Sequence, residues 1–200
     1  MTAGAQAPVY LLLLVAALLI YGWVALFRTH GATASGRIVL QEGSIFGLLC
    51  GGVWILELLT ANVLGPHLGS LNLVLSYSFV FLAYLLPGLA GLRAAFRAGR
   101  LGSGLEAGLL CGMCGGLMIF LAAIIIPALF LGTGPSDPQT IREFQHSGLP
   151  DITTFLVGDF LAGLIAHLWI GLLTGLGLGV IGGVLGKGPA RTDVAASKMS

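Results

Sequence analysis

Residues 104–116 read Gly-Leu-Glu-Ala-Gly-Leu-Leu-Cys-Gly-Met-Cys-Gly-Gly, and Gly104, Gly108, Gly112 and Gly116 recur at every fourth position. The apolar run Leu117–Leu131 follows at once. In water such a stretch would make a poor helix, since each glycine costs about 1 kcal/mol relative to alanine. In a bilayer the same spacing makes a smooth groove into which a second helix backbone can settle, and membrane helices associate through small residues of this kind. The stretch predicts a buried membrane helix with its glycine face against a neighbour.

Composition carries this reading to the whole chain. Of 200 residues, 56% are hydrophobic and 8% charged, and the mean hydropathy is +1.00. Soluble domains carry about 25% charged residues. The expected class is all-α: a polytopic membrane helix bundle forming one integral membrane domain over residues 1–200, with the lipid bilayer as its surroundings. A net charge of +1 argues against a nucleic-acid partner, which needs a basic patch.

Working outward from the glycine ladder, five transmembrane helices are predicted, at about 9–27, 45–65, 71–92, 105–131 and 155–186. Aromatic residues Tyr10, Tyr21 and Trp23 mark the ends of the first, as in interfacial belts. That segment lacks the basic start and short apolar core of a secretory leader, so it is read as a retained span. Pro87 predicts a kink in the third span, because proline removes a backbone donor. Residues 28–44 and 93–104 read as polar connections, 66–70 as a short turn and 187–200 as a polar tail. In the long 132–154 connection a short helix is expected, capped by Asp137, starting at Pro138 and ended by Gly148, with Ile141 and Phe144 on one face. Asp151 is a candidate N-cap for the fifth span.

Lys and Arg are distributed unevenly: two fall in 28–44, three in 93–104, three at the C-terminal end, none in 66–70 and only Arg142 in 132–154. This alternation predicts the N-terminus outside and the C-terminus in the cytoplasm of a bacterial cell membrane. Residues 43–52 match residues 104–113 at six of ten positions, with Gly43, Gly47 and Gly51 echoing the first ladder. A third ladder, Gly171, Gly175, Gly179 and Gly183, closes the chain. Two readings stand: parallel repeats, as in some transporter folds, or reuse of a common packing device.

Few residues could carry chemistry. Glu57 lies within the second span, roughly 12 Å inward from Gly65 at 1.5 Å per residue. A carboxylate there belongs toward the bundle and not toward lipid. It is a candidate proton-, cation- or ligand-sensitive site, or a structural hydrogen-bonding group with Asn62, Ser76, Ser78 or Tyr77 as partner. His167 shares an i, i+4 row with Asp159, Gly163, Gly171 and Gly175, which points it into the glycine groove with Glu57 or Asp159 as partner. The alternative is a neutral imidazole bonded to a backbone carbonyl. Glu57, His167, Asp159 and Asn62 are thus the candidate intramembrane polar site. Cys111-Gly-Met-Cys114 has the C-x-x-C spacing but neither a thioredoxin-like context nor a second ligand pair, so no metal and no cofactor is expected. The function expected is that of a non-enzymatic packing, assembly or accessory subunit with a second copy or another membrane protein as partner. The alternative is a small transporter or channel-like protein with Glu57 and His167 lining a polar pathway.

Overall fold

A computed structural model of the chain describes residues 3–28, 33–61, 68–130 and 138–187. Its elements are helices throughout: α1 (Ala3–Arg28), α2 (Ala34–Leu59), α3 (Ser70–Ala98), α4 (Leu101–Phe130), α5 (Pro138–Ser147) and α6 (Ile152–Gly186). Local chemistry sets the boundaries. Thr33 caps α2, its hydroxyl accepting from Gly36 N at 3.1 Å. Asp151 caps α6 as expected, accepting from Thr154 N at 2.8 Å. Gly99, with φ +66°, ends α3, and Gly148, with φ +70°, follows α5. Both positions use a left-handed conformation that side chains disfavour.

Helices α2, α3, α4 and α6 form the bundle. α4 packs against α6, α2 and α3, and α3 also contacts α2 and α6. α1 lies along α6, where the Tyr21 hydroxyl donates to Leu168 O at 3.0 Å. The short α5 returns to α6 through a Phe144–Phe155 ring contact at 6.0 Å. Its Ile141 is exposed, whereas Phe144, expected on the same face, packs against α6.

Four helices among the described residues, α2, α3, α4 and α6, are long and apolar enough to cross a membrane. Five were expected. The expected fifth corresponds to α1 (Ala3–Arg28), whose side chains are described only over the apolar stretch Val9–Val24. The polar connections also need correcting. α2 begins at Ala34 and α3 runs to Ala98, so most of 33–44 and 93–98 is helix, and only Gly99 and Arg100 separate α3 from α4. Hydrogen-bonded helix can continue past the apolar stretch into the polar interface, so charge marks where a span leaves the lipid, not where its helix stops. α3 also continues through Pro87, which is fully buried.

The core is concentrated toward one end. Buried residues of α3 run from Ala83 to Ala95, those of α6 from Leu164 to Gly186, and those of α2 from Val39 to Gly51. This is the end that carries Arg93 and Arg97. Toward the other end, Leu71, Leu73, Val74, Tyr77 and Phe81 of α3 face outward.

Candidate functional site: a glycine seam and two polar clusters

The ladders on α4 and α6 meet each other. A Cβ on Gly108 would lie 2.8 Å from Gly175 O and 2.9 Å from Gly179 N. One on Gly112 would lie 2.8 Å from Gly175 Cα, and one on Gly116 3.1 Å from His167 O. The fit is reciprocal: a Cβ on Gly175 would sit 2.7 Å from Gly108 O, and one on Gly183 2.9 Å from Leu101 O. α3 joins through Gly91, whose added Cβ would meet Gly179 O at 2.7 Å and Gly104 O at 3.0 Å. The two backbones are in contact, and the seam has no room for a methyl group. Gly43, Gly47 and Gly51 of α2 serve differently. They accommodate the side chains of Leu110, Cys114 and Met118 on α4.

Beyond this seam, larger side chains join the helices. The Trp54 ring on α2 meets the His167 ring on α6 edge to face, with centroids 5.4 Å apart and an 89° interplanar angle. It meets Tyr84 of α3 in the same manner, at 5.9 Å and 83°. Glu57, half-buried one turn beyond Trp54, lies within electrostatic reach of His167. His167 Nδ1 lies 2.7 Å from Gly163 O on its own helix, the carbonyl contact of the neutral-imidazole alternative. The Trp54–His167 ring contact therefore sets the Glu57 segment of α2 beside α6. The His167 ring, however, stands beside Trp54, and only its backbone carbonyl enters the glycine seam. Asp159 is exposed and Gly163 has no neighbour where its Cβ would be, so the i, i+4 row leaves the packed surface before reaching them. Tyr77 and Ser78 face outward, and the Ser78 hydroxyl donates to Val74 O at 2.7 Å, so neither serves Glu57. Asn62 lies outside the described residues, as does Asp137.

A second cluster sits at the opposite end of the core. Glu42 of α2 is 2% exposed and pairs with two arginines of α3: it accepts from Arg97 Nη1 at 2.5 Å and forms an ion pair with Arg93 Nε at 3.3 Å. Arg97 Nη1 also reaches Gln41 Oε1 at 3.4 Å, and the Arg93 guanidinium lies 5.6 Å from the centre of the Phe46 ring. In the sequence these charges fall in the polar stretches 28–44 and 93–104, and nothing local to either stretch joins them. A signal for Glu42 existed. It falls within the stripe Val39, Gly43, Phe46, Gly47 and Cys50 that repeats at helical spacing. Its arginine partners on another helix carried no such mark.

Other polar groups are tied locally or across helices. Ser35 and Ser103 hydroxyls are 2.8 Å apart, joining the starts of α2 and α4. Cys111 is a buried free thiol, as is Cys50 on α2. Cys50 donates to Ala83 O at 3.5 Å. Among the described residues no group of three His, Cys, Asp or Glu side chains is set to hold a metal. Outside the spans, hydrogen bonds from the Thr154 backbone and hydroxyl hold the Asp151 carboxyl below the usual aspartate range. Comparison of the chain with family models, curated proteins and solved structures gives no match.

Proposed function

We propose that the chain is a non-enzymatic multi-pass membrane protein that acts as a packing, assembly or accessory subunit in a bacterial cell membrane. The observation that carries this reading is the α4–α6 seam, in which the backbones touch along both ladders. Such packing uses the glycines inside one chain and leaves the outer face of α3, with Leu73, Tyr77 and Phe81, to lipid or to another membrane protein. The Lys and Arg distribution supports α1 as an added crossing, with the N-terminus outside and the arginine end of the bundle in the cytoplasm. The test is extraction from native membranes in mild detergent, followed by mass measurement of the intact particle. The reading expects a second copy or a stoichiometric membrane partner, and a bare monomer under every gentle condition would refute it.

One observation favours a second reading, that of a small transporter. An imidazole on α6 meets Trp54 and, through it, Tyr84, one helical turn from the Glu57 carboxylate of α2 and beyond the glycine seam. On this reading Glu57→Gln and Glu57→Ala both abolish proton-driven cation flux in liposomes, with the fold intact. On the structural reading there is no flux to lose, and Ala destabilises more than Gln because it strands whatever Glu57 satisfied.

A further inference from the structure

The Glu42 cluster is more than a closed ion pair. One carboxylate faces two guanidiniums, which leaves the trio at net +1. Each guanidinium carries five N–H donors, and Glu42 takes one nitrogen from each. The carboxylate is 2% exposed, whereas the Arg93 and Arg97 side chains are 58% and 42% exposed. Glu42 therefore fixes two planar forks, one helical turn apart, while much of each stays accessible. Phe96, between them in sequence, is 74% exposed. Arg100 and Lys187 are exposed at the ends of neighbouring elements, adding positive charge at the same end.

We infer that Arg93 and Arg97, positioned by Glu42, seat the phosphate of an anionic phospholipid in the leaflet that meets this end of the bundle. Preset guanidinium forks match phosphate oxygens in a bidentate manner and lose little freedom on binding. Basic sites against membrane helices recognise headgroups in this way. Phe96 supplies the apolar neighbour that an acyl chain offers a partner and free phosphate does not. The net charge of +1 is neutralised by one monoanionic headgroup.

The test titrates dioleoyl phosphatidylglycerol or dioleoyl phosphatidylcholine into the protein in maltoside detergent and counts bound lipid by native mass spectrometry. Wild type should prefer the glycerol headgroup by about tenfold or more, the scale of one charge-assisted bond. The triple variant E42Q/R93Q/R97Q keeps polar side chains while removing all three charges, and should bind both lipids alike. Arg142→Gln, on α5, should keep the preference. Should the triple variant fail to fold, phenylglyoxal labelling of wild type gives the same answer: phosphatidylglycerol, but not phosphatidylcholine, slows modification of Arg93 and Arg97. Equal binding of the two lipids by wild type, a triple variant that retains the preference, or equal protection by inorganic phosphate would each overturn the assignment.

Discussion

Replacing Gly108 with alanine asks whether the α4–α6 seam is as tight as its geometry states. The new methyl would lie 2.8 Å from Gly175 O and 2.9 Å from Gly179 N, both backbone atoms of the facing helix. Ordinary contact begins near 3.4 Å, so the helices must part by more than half an ångström. A gap of that size forfeits a quarter or more of each nearby dispersion contact, and overpacking a filled site costs about 1–3 kcal/mol. Alanine returns at most about 1 kcal/mol through its helix preference, leaving a net loss of up to about 2 kcal/mol. For a chain of this length that corresponds to up to roughly 8 °C in the midpoint of thermal unfolding. Gly52 and Gly177 serve as controls, since nothing lies within 4 Å of where their Cβ would be. Alanine at either should be neutral or stabilising by up to about 1 kcal/mol. Gly51→Ala should also destabilise, because its methyl would lie 2.6 Å from Met118 Cβ, an atom fixed to the α4 backbone. The assay is circular dichroism against temperature in a mild detergent, with all four variants in parallel. Equal midpoints for Gly108→Ala and Gly52→Ala would refute the reasoning.

Removing both arginines in R93A/R97A strands the buried Glu42 carboxylate and should cost about 3–5 kcal/mol, whereas Glu42→Gln should cost less because the exposed guanidiniums can turn to water; detergent unfolding curves compare them. The Asp151 carboxyl is held below its unfolded value near 3.8, so its contribution to the first turn of α6 is present above that pH and disappears as pH falls through the lower folded value. Amide hydrogen exchange at Thr154 should therefore speed up in acid beyond its intrinsic rate, and Asp151→Asn should flatten this step. In a cysteine-free background in oriented vesicles, single cysteines at Ser70 and Ser147 should react with an impermeant thiol reagent from outside and ones at Gly99 and Lys187 should not; the reverse pattern would invert the proposed topology.

The helices, the short α5 and the Asp151 cap were legible because each rests on local information: apolar length, a proline at a helix start, a glycine after its end. The glycine ladders were legible as packing faces for the same reason, since their spacing lies within one helix. Which ladder faces which was not. Gly104–Gly116 meets the ladder at Gly171–Gly183, while its sequence echo at Gly43–Gly51 receives side chains from another face of α4. That difference depends on what stands opposite, a property of two helices together. The same limit hid the Glu42 cluster. Read singly, Glu42, Arg93 and Arg97 are charges beside apolar runs, and their pairing exists only once α2 and α3 are adjacent. His167 shows the limit of periodicity within a helix. Its i, i+4 row winds slowly, so Gly171 and Gly175 are in the seam while Asp159 and Gly163 have left it.

Glycine contacts across the seam can be observed directly by solid-state NMR in lipid bilayers, with glycine labelled at Cα. The backbones of α4 and α6 touch at Gly108 with Gly179, at Gly112 with Gly175 and at Gly116 with Gly171. Short-mixing carbon–carbon spectra should therefore give Gly108–Gly179 and Gly112–Gly175 cross-peaks stronger than those between glycines four residues apart on one helix. Spectra holding only intrahelical glycine cross-peaks would contradict backbone-to-backbone packing of α4 on α6, and with it the proposed assembly role.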